Sequence, residues 1–196
     1  MKPVTDVMQL FRAQRAVRAF SDRPVEEETL RQVLQAAVHG PSGSNTQPWK
    51  FIVVRDQAVK TALDREYSIA HNEPGDAPGV MAKAPVLIVP CVRVPERTGQ
   101  VGFQTGASIY PACQNLMLAA RALGLGTVLT TSHRIRNAEV KAILGVPEGW
   151  DTAAMIPLGW PDRNYGPNHR PPLDEAICLD RWSEWGRGSR PAPAPL

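Results

Sequence analysis

The chain reads as an α/β or α+β domain built around one mixed sheet, and three observations lead there. Stretches with apolar residues at helical spacing alternate with short, β-branched apolar runs. No period-two meander and no internal repeat interrupts that alternation. The 196 residues, 43% apolar and 21% charged, suit one generous domain that buries roughly 70% of its unfolded surface without staples.

The elements follow in order. Thr5 or Asp6 is a candidate cap for a first helix, with Val7, Met8, Leu10 and Phe11 as its apolar positions and a reach to about Phe20. Val25 to His39 is an amphipathic helix: Leu30, Val33, Leu34, Ala37 and Val38 share a face, Glu26, Glu27 and Glu28 sit at its positive end, and Gly40-Pro41 stops it. The run WKFIVV, Trp49 to Val54, is a strand, and Gln57 to about Tyr67 a further helix. HNEPGDAPG at 71–79 is the most turn-rich interior stretch and reads as an exposed loop or lid. PVLIVPCV, Pro85 to Val92, is a buried strand. Residues 103–123 form the longest apolar helix, too poor in charge for a surface helix, so both faces should meet protein; Pro111 must kink it or lie near its start. Gly124 and Gly126 end it, TVLTT (Thr127 to Thr131) is a strand, Ala138 to Leu144 a short helix, and Thr152 to Leu158 another strand. The expected domain spans 1–186, and the proline-alternating tail at 187–196 has the composition of a disordered linker.

Charge and cysteine usage exclude several classes. The net charge is only +3, and seventeen arginines against five lysines suit a few anion contacts rather than a polycationic nucleic-acid surface. No aromatic platform interleaves the arginines, so nucleic acid is not the expected partner. Three dispersed cysteines without a CxxC pair speak against a disulfide scaffold or zinc ribbon. There is no 18-residue apolar run and no signal-peptide pattern, so the expected compartment is the cytoplasm, with no membrane span. His39, His71, His133 and His169 lack metal-ligand spacing and read as surface or cap residues, so no metal site is expected.

Standard catalytic motifs fail: there is no P-loop, the Gly124–Gly126 pair follows a helix rather than a strand, and GPSGS lacks the second glycine of a nucleophile elbow. Two features survive. Arg12, Arg15 and Arg18 are spaced by three and, on a helix, would share a face able to fork onto a phosphate, although a solvated basic face would look the same. PSGSNTQPW, Pro41 to Trp49, is too long for a simple turn and offers hydroxyls and amides between fixed prolines, a lining suited to the edge of a planar heterocycle.

At this point the sequence resembles the FMN-dependent nitroreductase family, over about residues 6 to 182. Four stretches carry the resemblance: QRAVRAFSDRPV (14–25), HGPSGSNTQPWKFIVV (39–54), ACQNLMLAARALGLGTVLTT (112–131) and IPLGWPDRNYGPNHRPPLDE (156–175). It implies an α+β fold with a mixed central sheet flanked by helices, in an intertwined homodimer with two FMN sites at the interface. It further implies that Gln14, Arg15, Ala16 and Arg18 form the first cofactor segment, with Arg15 toward the phosphate and Arg18 toward the ribityl chain or the N1–O2 edge. Arg170 corresponds to an arginine that closes on the phosphate. Pro41, Ser42, Gly43 and Asn45 correspond to a loop reaching the flavin from the partner chain, and Leu129, Thr130 and Thr131 to a strand end whose backbone N–H meets N5 or O4.

Two departures stand out: Gln14 and Ala16 replace an arginine and a serine common in the family, and Asn168 stands where a second basic residue is common. The activity implied is transfer of electrons from NADH or NADPH through FMN to a flat, electron-poor acceptor such as a nitroaromatic or quinone. Flavin chemistry needs a positive charge near N1–O2 and a donor near N5, so no catalytic side chain is expected. The rivals are an FMN sensor or store without turnover, and a specialised reaction such as reductive dehalogenation.

Overall fold

The computed structural model describes residues 1–71, 78–178 and 180–182. Most of the 71–79 loop and all of the 187–196 tail lie outside them. The helices are α1 (Val7–Ala13), α2 (Glu27–Val38), α3 (Gln57–Ala70), α4 (Val80–Lys83), α5 (Phe103–Ala122) and α6 (Asn137–Leu144). The strands are β1 (Trp49–Val54), β2 (Val86–Arg93), β3 (Gly126–Thr127), β4 (Trp150–Thr152) and β5 (Ile156–Gly159).

The sheet runs β1-β2-β5-β3, with β4 added to the far end of β2, and every ladder is antiparallel. The parallel component expected of a mixed sheet is one isolated bridge, Ala16 to Thr127. The class is α+β.

Central strand β2 explains the layering. It is buried from Val86 to Val92, and with side chains alternating across the pleat, Val86, Ile88 and Val92 enter one core and Leu87, Val89 and Cys91 the other. The first core packs against α2 and α5 through Val33, Ala37, Ile109 and Leu116. The second packs against α3, α4 and α6 through Leu63, Met81 and Val140. Asp64, buried on α3, accepts from the N–H groups of Gly79 and Met81 at 2.6 and 2.9 Å and so caps α4.

Helix α5 carries Pro111 in its interior, which deletes one intrahelical bond. Its inner face is buried from Thr105 to Ala120, but Phe103, Ala107, Tyr110 and Gln114 form an exposed stripe at i, i+4, i+7 and i+11. The expectation that both faces meet protein is therefore met on one side within a single chain. Phe103 is 95% exposed.

Candidate functional site

The first correction concerns the arginine triplet. Asp6 caps α1 by accepting from Gln9 N–H at 2.7 Å, but the helix stops at Ala13, well short of Phe20. The chain then runs extended: Ala16 bridges Thr127, Val17 N–H donates to Thr127 C=O at 2.9 Å, and Phe20 bridges Pro161. Arg12, Arg15 and Arg18 thus do not share a helical face. Asn168 explains where the helix ends. Its side-chain amide donates to Phe11 C=O at 2.8 Å and Gln14 C=O at 3.0 Å, while its N–H donates to Arg12 C=O at 2.8 Å, satisfying carbonyls that the helix end leaves open.

That same clasp brings the C-terminal arginine segment to the first one. Arg15 donates to Gly166 C=O at 3.3 Å and lies 5.5 Å from the Tyr165 ring centroid. Arg170 is two residues beyond Asn168 and exposed, and among the described residues it bonds the neighbouring His169 carbonyl at 2.8 Å. Among the described residues, Arg12, Arg15, Arg18 and Arg170 have no carboxylate partner, whereas Arg31, Arg55 and Arg134 each have one and Arg136 has two. Gln14 is half-buried, with its amide 3.8 Å from the Met117 sulfur on α5, and Ala16 is exposed beside β3.

The Pro41–Trp49 loop is internally braced and outwardly exposed. Ser44, Asn45 and Gln47 take φ of 50°, 53° and 49°, a left-handed conformation uncommon for residues with a Cβ and costing on the order of 1 kcal/mol or more each. Ser42 Oγ accepts from Gln47 N–H at 3.0 Å, Thr46 Oγ1 donates to Gly43 C=O at 2.9 Å, and Gly43 N–H donates to Ser108 Oγ at 3.2 Å. Gly40 sets the approach: a Cβ there would sit 2.8 Å from Ala112 Cα, so the loop's first residues lie directly on α5. Pro41, Gly43 and Asn45 are exposed and Ser42 half-buried.

The expected TVLTT strand is shorter than its β-branched composition suggests. Only Gly126–Thr127 ladder with β5; Thr130 rejoins the sheet through a bridge to Met155, with bonds of 3.1 and 2.9 Å. Thr130 Oγ1 donates to Tyr67 Oη at 3.4 Å, bracing the strand end against α3. Leu129 is half-buried and Thr131 exposed. The Thr131 N–H has no acceptor among the described residues, and its hydroxyl caps nothing, although Thr131 precedes the turn Ser132–Arg136.

The structure therefore gathers Gln14, Arg15, Ala16 and the Asn168–Arg170 segment beside the strand leading to Leu129–Thr131. It holds the 41–45 loop elsewhere. Met117 receives the first group and Ser108 the loop, and nine residues of α5 separate them by ~13 Å. Sequence reading gives no sign of Ser108, and it marks Asn168 only as a departure from a basic residue, because their contacts are remote in sequence, 65 and 154 or more residues away.

His39 and His71 cap α2 and α3 and His169 is exposed, as expected of surface or cap residues, but His133 is fully buried. His133 Nε2 meets Thr152 Oγ1 at 3.0 Å, while Nδ1 has no partner among the described residues. Thr152 donates to Asn137 at 2.6 Å, and Asp151 accepts from Asn137 at 2.7 Å and from Arg134 at 2.9 Å. Arg134 also donates to Thr152 C=O. Burial, reinforced by the Arg134 charge and opposed by Asp151, pushes His133 down from 6.5 to about 4. Because the unfolded chain binds this proton more readily, the contribution is intact above pH 6.5 and is lost as pH falls toward 4. The wild type is expected to lose ~3 kcal/mol from this residue across that window, read by urea unfolding at stepped pH. His133→Gln should remove that part of the slope; identical slopes would mean that His133 does not titrate this way. No cluster of three or more His, Cys, Asp or Glu able to hold a metal exists among the described residues, and no helix among them is long and apolar enough to cross a membrane.

The sequence model of the nitroreductase family matches residues 11–160. The chain is similar to an NADH dehydrogenase of Thermus thermophilus, 31% identical over 199 residues, covering 89% of this chain and 96% of that protein. It is 30% identical over 171 residues to a 5,6-dimethylbenzimidazole synthase of Rhodospirillum rubrum, covering 78% of this chain and 80% of that one. Its fold matches the NADPH:FMN oxidoreductase of Vibrio harveyi, solved in complex with NAD+, at a TM-score of 0.78 and 25% identity, covering 91% of this chain and 79% of that one.

Proposed function

This chain belongs to the nitroreductase family, and from that premise we propose that it is an FMN-dependent oxidoreductase passing electrons from NADH or NADPH to a flat, electron-poor acceptor such as a nitroaromatic or quinone. The observation that carries the reading is a set of cations with no carboxylate partner among the described residues, Arg12, Arg15, Arg18 and Arg170, on segments that meet the chain at Thr127, together with a Thr131 N–H farther along that stretch that has no acceptor among those residues. Guanidinium groups suit a phosphate dianion, and an unpaired backbone donor suits the polar edge of an isoalloxazine, so the residues fit FMN. When bound, FMN supplies the electron transfer itself.

The chain's own groups then have distinct tasks. Arg15 and Arg170 hold the phosphate, and the Asn168 clasp keeps their two segments together. Arg18 places positive charge toward the ribityl chain or the N1–O2 edge. Leu129 and Thr130 carry the strand end, and Thr131 N–H donates toward N5 or O4.

The site is shared between two chains in this reading. The ~13 Å along α5 between the Ser108 contact of the loop and the Met117 contact of Gln14 supports a reading in which the loop serves a partner's cofactor. The exposed stripe of α5 and the outward Val7, Met8 and Phe11 of α1 are the apolar surface such a partner would cover. Thermus and Rhodospirillum relatives with different names leave the acceptor to experiment, and the setting implied is the cytoplasm.

The test is an anaerobic titration of the flavin-loaded protein with NADH and NADPH, followed by a panel of acceptors. Bleaching and recovery support turnover; bound flavin that neither donor reduces would leave a sensor or store. In the same assay series, Arg170→Ala is expected to weaken FMN by roughly tenfold or more, since a charge-assisted contact is worth ~1.5–3 kcal/mol. A dimer mixing one Asn45→Ala chain with one Arg170→Ala chain should keep one intact site; two equally damaged sites would place the loop and Arg170 of one chain on the same flavin.

A further inference from the structure

Residues 11–20 and 161–168 run side by side in opposite directions, tied at both ends. At one end Phe20 bridges Pro161, and Asp162 N–H donates to Ala19 C=O at 3.3 Å. At the other the Asn168 clasp holds the carbonyls of Phe11, Arg12 and Gln14. Tyr165 and Gly166 lie between these ties, and Arg15 rests on both. Its guanidinium carbon stands 5.5 Å from the Tyr165 ring centroid, within reach of a cation–π contact, and Nη1 donates to Gly166 C=O at 3.3 Å. Arg15 and Tyr165 are half-buried, whereas Arg12, Arg18 and Arg170 are exposed.

A ring holds an arginine differently from a carboxylate. An aspartate would fix the guanidinium but also neutralise it, and would occupy the N–H edge that a phosphate needs. The face of a ring attracts the cation through its quadrupole, takes none of its N–H donors and leaves its charge in place. Gly166 accepts from Nη1 alone, so further donors stay available. Asp162, close in sequence, faces the Tyr165 hydroxyl at 3.5 Å and forms no ion pair with Arg15. Arg163 shares the ring at 5.1 Å, but its side chain is exposed. The uncharged neighbours are committed elsewhere, Gln14 to the Met117 sulfur and Asn168 to carbonyls, which leaves Arg15 as the half-buried cation of this stretch.

We propose that Tyr165 is a positioning residue for the cofactor phosphate. Its ring, with the Gly166 carbonyl, holds Arg15 charged, oriented and free of carboxylates, so that the remaining N–H donors meet the phosphate with little left to order. The proposal rests on the functional reading above, in which Arg15 is a phosphate ligand of FMN.

The test compares FMN with riboflavin, which lacks only the phosphate. Tyr165→Leu and Tyr165→Gln, two ways of removing the ring, should each bind FMN roughly three- to tenfold more weakly by fluorescence quenching, with riboflavin affinity within about twofold of wild type. Tyr165→Phe keeps the ring and should match wild type with both flavins. On an Arg15→Gln background Tyr165→Leu should cost nothing further, because the ring acts through that guanidinium. Arg163→Gln removes an exposed, solvent-screened charge and should keep the ratio of the two affinities within about twofold of wild type. Equal losses of FMN and riboflavin would make the ring merely structural, and a loss shared by Tyr165→Phe would assign the effect to the hydroxyl. A full additive loss on the Arg15→Gln background, or the same loss in Arg163→Gln, would take the effect away from Arg15. Each of these overturns the proposal, as does unchanged FMN affinity without the ring when Arg15→Gln alone weakens it; the reading of Arg15 then stands. A wild type that binds both flavins equally, or neither, removes that reading and the proposal with it.

Discussion

Thr131→Pro is expected to slow reduction of the flavin-loaded protein by NAD(P)H by roughly a hundredfold or more, the scale for deleting a preorganised donor. Thr131→Ala should stay within about tenfold of wild type, because ~1 kcal/mol is the usual scale for one lost neutral hydrogen bond. The structure sharpens the contrast. The Thr131 side chain is exposed and caps nothing, so alanine removes no observed contact. Its φ is −120°, whereas proline holds φ near roughly −65°, so the imino ring would both remove the N–H and turn the strand end. Thr130, extended in its bridge to Met155, already has the conformation a residue before proline prefers, so the disturbance should stay local. Stopped-flow traces are compared only for variants that retain the dimer and bound FMN. If alanine abolishes reduction with FMN in place, the hydroxyl has a direct role; if proline leaves the rate alone, the flavin does not lie against this strand end.

Elements whose burial is written in their own periodicity were legible. Helix α2, strand β1 and strand β2 fall within two residues of the expected bounds, because each has an apolar face or run bounded by Gly, Pro or a cap. Helix α3 runs on to Ala70, since no breaker stands between Tyr67 and His71. The first helix stops short of its expected end for a specific reason. FRAQRAVRAF has good helix formers and no breaker, so local propensity favours continuation, yet pairing of Ala16 with Thr127 and the Asn168 clasp draw the chain into an extended path. The 127–131 strand is shorter than expected for the opposite reason: β-branched residues mark a pleated surface, but only Gly126–Thr127 find a full ladder partner in β5. His133 gives no signal at all in sequence, since its burial depends on Thr152 nineteen residues away. Among the candidate site residues, composition could suggest the arginines and the loop, while their division between two stretches of α5 depends on Ser108 and Met117, which read as ordinary helix positions.

Gly126→Ala should damage the candidate site from outside it, and by a predictable route. A Cβ at position 126 would fall 2.7 Å from Val17 Cγ1, 2.8 Å from Val17 Cβ and 2.9 Å from Pro161 Cγ. None of these is the loose end of a flexible side chain. Val17 is 1% exposed, and its N–H is held by Thr127 C=O at 2.9 Å, so the methyl group has to push the whole 14–18 segment off β3. Overpacking of this kind costs ~1–3 kcal/mol. The displaced segment includes Gln14, Arg15, Ala16 and Arg18, so FMN should bind roughly tenfold or more weakly even far below the unfolding temperature. Gly102→Ala is the matched control, because a Cβ there meets nothing within 4 Å; it should leave FMN affinity unchanged and stability altered only on the scale of a helix cap, ~0.5–1 kcal/mol. The measurements are thermal unfolding of the apoprotein and FMN fluorescence quenching at 25 °C. A Gly126→Ala protein less stable than wild type but binding FMN equally well would mean that the 14–18 segment does not form the cofactor site. One matching wild type in both respects would mean that the contact between this segment and β3 is looser than 2.7 Å packing implies.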